Sequence, residues 1–154
     1  MKNYLLIFIG WMFFESFCLA VEIGESIEIN YKSKPVQLIR VKGMSQGFFY
    51  SFSDDVGKIY RAENKIFIQS QYAINVDEIF NIVALGEIEK LDISEKRDEI
   101  TLHLCLGRDA LATVASLQKD KNYQVVEPKL ELCCVVDDEF FKKLMNLKDT
   151  SAKI

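Results

Sequence analysis

The residues of this chain with chemistry to offer are few: one histidine, four cysteines and adjacent carboxylates, among them Asp54-Asp55 and Asp137-Asp138-Glu139. Any Ser-His-Asp or Cys-His machinery must use His103, because there is no other histidine. His103 and Cys105 lie two apart on a segment that alternates as a strand, which places them on one face roughly 7 Å apart. That spacing suits two ligands of one metal better than a nucleophile touching its base. A zinc site needs two further donors, and the chain has no C-x-x-C. The expectation is a histidine on the outer face of a strand, with no metal or other cofactor.

Cys105, Cys133 and Cys134 form the thiol set outside the N-terminal segment. Cys133 and Cys134 are neighbours on an apparent strand, so alternation points their side chains to opposite faces. A bridge between them would strain the backbone. A bridge from Cys105 to Cys133 or Cys134 forms only if their strands are neighbours; otherwise all three are small apolar core residues. The odd number would leave at least one free thiol in an exported protein.

Asp54-Asp55 and Asp137-Asp138-Glu139 could do acid–base work or bind calcium. Neither has the D-x-[DN]-x-[DN]-G spacing of a calcium loop. A turn accounts for the first run and a helix cap for the second. No GxGxxG, P-loop or GxSxG occurs, so no nucleotide-binding or lipase motif is present. The aromatic series Phe48, Tyr50, Phe52, Tyr60, Phe67 and Tyr72 marks a sheet face that stabilises a core by cross-strand pairs. On the opposite face, Phe49 is the candidate surface contact.

The elements that must position these residues read mainly as β. Alternation predicts strands over 26–31, 36–41, 46–53, 58–62 and 65–72, with turns at 32–35, 54–57 and 63–64. Pro35 is expected to stop pairing. The stretch 74–85 fits a helical face capped by Asn75 or Asp77, and also alternates. A short turn followed by a strand through 79–93, bent at Gly86, is the preferred reading. Residues 94–98 form a charged hairpin loop and 99–106 a strand. Asp109 caps a helix over 110–119. Two strands, 123–127 and 129–136, are separated at Pro128. A last helix over 139–147 carries the apolar stripe Phe140, Phe141, Leu144 and Met145. The fold class is therefore α+β: a mostly antiparallel sheet, a meander or a small OB-like barrel, with one internal and one C-terminal helix.

The first twenty residues have the layout of a secretory signal peptide. Lys2 is followed by an apolar run from Tyr4 to Phe14, then a polar segment closing on Ala20. The run is short of the roughly 20 residues that a spanning helix needs. Glu15 interrupts it, and Phe17 argues against lipidation of Cys18. Cleavage after Ala20 leaves one β-rich domain over 21–148, with a division near 74 as the alternative, and a frayed tail over 149–154. The net charge is −4 with both signs interspersed, so the basic footprint of a nucleic-acid binder is missing.

The function expected is that of an exported binding or interaction protein, periplasmic or secreted, whose partner is a protein or an envelope component. A membrane enters only if the N-terminal segment is retained. The alternatives are a secreted hydrolase using carboxylates such as Asp54 or Asp137, and an OB-like oligosaccharide or nucleic-acid binder.

Overall fold

The computed structural model describes residues 22–43, 47–120, 122–137, 139–143 and 146. The export layout, the Cys18 alternative, Leu144, Met145 and the tail lie outside them. Seven strands form one open antiparallel sheet: β1 (Glu22–Tyr31), β2 (Lys34–Lys42), β3 (Phe48–Phe52), β4 (Lys58–Gln69), β5 (Ile88–Ile93), β6 (Glu99–Leu104) and β7 (Val125–Val135). Helix α1 (Val76–Ile82) precedes β5, and α2 (Ala110–Gln118) lies between β6 and β7. Residues 139–143 are helical again. Among the described residues, no helix is long and apolar enough to cross a membrane.

The long strand β4 organises the sheet. Its first half pairs with β3 through Phe48–Ala62, Phe49–Arg61 and Tyr50–Tyr60. Its second half pairs with β6, from Lys65–His103 to Gln69–Glu99. Strand β7 pairs with β4 on the other edge along almost its whole length, from Lys58–Val135 to Gln69–Val125. A strand has two edges, so β3 and β6 share one, and the sheet forks where one hands over to the other. The order is β1-β2-β3-β4-β6-β5, with β7 attached to β4. The OB-like barrel does not form, because the sheet stays open.

Alternation explains which side of the sheet is core. Leu38, Tyr50, Ala62, Ile66, Ile68, Ile100, Leu102 and Leu104 point to one face, and Leu111, Val114 and Leu117 of α2 cover it. Asp109 starts α2 as its cap, with Oδ1 accepting from the Leu111 N–H at 3.0 Å. Its other oxygen accepts from the Tyr50 hydroxyl at 2.7 Å, which ties β3 to the helix start. Burial, and then this bond, raise the Tyr50 phenol far above the ordinary tyrosine range. On the opposite face a second cluster forms from Val41, Phe49, Ile59 and Phe141.

Five local readings of the sequence are corrected. Residues 76–82 are helical, with the Asn75 side chain accepting from the Asp77 N–H at 3.1 Å. Gly86 lies in a 3-10 turn, Leu85–Glu87, rather than bending a strand. Glu63-Asn64 is a bulge inside β4 and not a turn: Ala62 pairs with Leu130 and Ile66 with Pro128, so three residues oppose one. Pro128 does not divide β7. On an edge strand its missing N–H can face away from the ladder. Pro35 likewise stays within β2, opposite Asn30.

The β1–β2 turn has Lys32 at φ +50° and Ser33 at φ +64°. Two left-handed residues match the strand twist, but the turn favours Asn-Gly there. The left-handed form costs about 1–2 kcal/mol for a residue bearing a Cβ. Ser33→Gly is expected to raise stability by about 1 kcal/mol, seen as a higher urea midpoint with an unchanged slope. A lower midpoint would mean that the Ser33 side chain holds the turn.

Candidate cleft at the sheet fork

At the fork, Ala62 is the last β4 residue paired with β3 and Lys65 the first paired with β6. Glu63 and Asn64 therefore have no ladder partner on this edge. They line a cleft of about 770 Å3 together with Arg40, Gly47, Phe48, Arg61, Leu106 and Gly107. Two arginines line it, from opposite faces of the sheet: Arg40 pairs across to Tyr50, and Arg61 to Phe49. Arg40 stacks over the Phe48 ring at 4.9 Å. Arg61 meets Glu131 at 3.3 Å, both side chains being about half exposed. Such an exposed pair contributes about 0–1 kcal/mol, so Arg61 can exchange its partner for another anion at little cost.

The fold builds these walls locally. Gly24 lets β1 approach Arg40 closely: a Cβ there would lie 3.2 Å from Arg40 Cβ and 3.3 Å from its carbonyl oxygen. Gly47 enters β3 at φ +129°, a conformation few residues with a side chain adopt. Leu106 sits on the rim in the turn after β6 and is 90% exposed. The Glu63 carboxylate is turned away to Lys129 at 3.1 Å. The cleft thus offers two cations, an aromatic plane and an apolar rim.

The residues expected to carry chemistry are dispersed. His103 lies on the outer face of β6, with Nε2 2.8 Å from Asp92 Oδ2. Hydrogen bonds from Lys90, and then from His103, hold the Asp92 carboxyl below its ordinary range. Cys105 follows β6, and its thiol donates to the Gly86 carbonyl at 3.7 Å. Asp55 meets Lys58 at 2.9 Å, and Asp54 lies in the same exposed turn. Asp137 Oδ1 accepts from the Glu139 N–H at 2.8 Å and the Phe140 N–H at 3.1 Å, a helix cap. No cluster of three metal-ligating side chains occurs among the described residues.

Phe49 is not a surface contact. It is 3% exposed, because Phe141 returns the chain across that face. The bridge from Cys105 to Cys133 or Cys134 is not made, and all three thiols are free. Strands β6 and β7 occupy opposite edges of β4, about 9–10 Å apart at two strand spacings. A disulfide needs its Cα atoms within about 7 Å. Leu132 pairs with Tyr60 and Cys134 with Ile59, so Cys133 is the extra residue of a second bulge. The extra residue resets the alternation. Cys134 joins Ile59 and Phe141, and Cys133 is exposed. Burial, and then Cys133, push the Cys134 thiol up to about 11.

Sequence reasoning missed the cleft. Arg40 and Arg61 lie on different strands, and only the pairing register brings them to one fork. No family model, no curated protein and no solved structure matches the chain.

Proposed function

We propose that this chain is a small non-enzymatic binding protein that holds an anionic segment of a protein or envelope partner in the cleft at the sheet fork. The observation carrying this reading is the pair Arg40 and Arg61 beside unpaired β4 backbone. A guanidinium presents several N–H donors in a fork that matches a carboxylate or phosphate. An extended acidic segment would also meet the β4 edge at Glu63 and Asn64, which neither β3 nor β6 pairs, the chemistry of strand addition. Export to the periplasm or the exterior belongs to the same proposal and rests on the charged, apolar and small-residue pattern of residues 1–20.

The test is an NMR titration with an acidic peptide and its amide-neutralised counterpart. The acidic peptide should shift the amides of Arg40, Phe48, Arg61 and Asn64, and added salt should weaken it. Arg40→Gln with Arg61→Gln should reduce its affinity by about tenfold or more, each charge-assisted bond contributing about 1.5–3 kcal/mol when made. Shifts confined to another face, or equal binding of the neutral peptide, would sink the reading.

A further inference from the structure

We propose that the outer face of the sheet around Phe67 is a second ligand site, which holds a neutral pyranose unit of an oligosaccharide by stacking it on the Phe67 ring. This site uses another part of β4 than the fork cleft and does not rest on the function assigned there. Ile66 and Ile68 are buried in the core, so alternation turns Lys65 and Phe67 to the opposite face. Phe67 thus leaves the core that the aromatic series was expected to stabilise, and it is 38% exposed. Its direct neighbours across the two ladders are Thr101 on β6 and Glu127 on β7, both half-buried. The end of β1 comes to the same place, because the Lys32 N–H donates to Glu127 Oε1 at 2.8 Å. Tyr31, Lys65, Phe67, Thr101 and Glu127 together line a cleft of about 400 Å3. That is a volume suited to a small organic ligand.

The polar groups select the ligand. Among the described residues, the Lys65 ammonium and the Thr101 and Tyr31 hydroxyls have no hydrogen-bonding partner. Lysine donates, a carboxylate accepts, and hydroxyls do both. An oxyanion needs donors alone, and Glu127 would repel it. Lys129, which also borders the cleft, is already engaged with Glu63 at 3.1 Å. A nucleic-acid base could stack on the ring, but its phosphates would meet a chain of net charge −4. A pyranose matches the whole set: its C–H face lies on an aromatic plane, and its hydroxyls both donate and accept around the rim.

The experiment titrates the isotope-labelled full chain with cellotetraose and with its N-acetylated counterpart, chitotetraose, followed by NMR. At least one should shift the amides of Lys65, Phe67, Thr101 and Glu127 saturably, and magnetisation should pass from the Phe67 ring to the sugar C–H protons. Phe67→Ala should weaken binding about tenfold or more, the scale on which a stacked partner is lost with its aromatic side chain. Phe67→Trp keeps a ring at that position and should retain binding, which separates loss of the platform from loss of the fold. Arg40→Gln with Arg61→Gln should bind the sugar as the parent chain does and fail only with the acidic peptide, so the two sites stand or fall separately. Undiminished binding in Phe67→Ala would overturn the site. So would the absence of shifts with both sugars, shifts confined to another face, or a Phe67 face that takes the acidic peptide in place of the sugar.

Discussion

Phe141→Ala is expected to lower stability by about 3–5 kcal/mol, the range for removing a buried phenylalanine. The ring is 0% exposed and closes a cluster with Val41, Phe49 and Ile59, with Ile23, Val56, Cys134 and Val136 at its margin. The connection is also short: the Val136 N–H donates to the Gly57 carbonyl at 2.6 Å, and Asp137 then caps the helical turn. If the shortened side chain releases that turn, Phe49 becomes exposed as well. Urea unfolding should therefore show a lower midpoint, and a dye that reports apolar surface should brighten. A loss below about 1 kcal/mol, outside the core range, would mean the segment is not docked, and would return Phe49 to the surface.

Asp109→Ala is expected to cost about 2–4 kcal/mol by two separable routes. The Oδ1 atom caps α2, worth about 0.5–2 kcal/mol. The Oδ2 atom satisfies the hydroxyl of Tyr50, which is 2% exposed. Stranding that hydroxyl adds about 1–3 kcal/mol. The double-mutant cycle distinguishes the routes. Tyr50→Phe removes the donor that would be stranded, so the double variant should be more stable than the two single losses predict by addition. Asp109→Asn, which can still cap, should recover most of the helix contribution. Strict additivity would show that the Tyr50–Asp109 bond is not part of the fold's support.

The two variants also mark what was legible in the sequence. Asp109 as a cap was readable, since a carboxylate before an Ala- and Leu-rich run admits little else. The strands β1, β2, β3 and β6 were readable from alternation at Ile27-Ile29-Tyr31, Phe48-Tyr50-Phe52 and Ile100-Leu102-Leu104. Helix α1 was not, because Ile79 and Val83 serve a helical stripe and an alternating strand equally well. Glu63-Asn64 has turn chemistry, and nothing local reveals that β7 holds both sides of it in one strand. The Cys133 bulge is set by pairing with Ile59 and Tyr60, more than seventy positions away. Phe49 was misjudged for the same reason: its cover comes from Phe141. The cleft depends wholly on such distant pairings, so composition and motif could not expose it.

The sharing of β4 among three strands has a consequence for how the chain is made. Its first half can pair with β3 as soon as both have emerged, but its other edge waits for residues 125–135. Until then Ile59, Ile66 and Ile68 belong to a strand with one row of amides and carbonyls unclaimed. A nascent or truncated chain ending before Val125 would carry a long apolar edge able to recruit a like edge from another copy. Completion of the fold is thus governed by its last strand, and the interval before that strand arrives is when the chain is most exposed to aggregation and most dependent on chaperones.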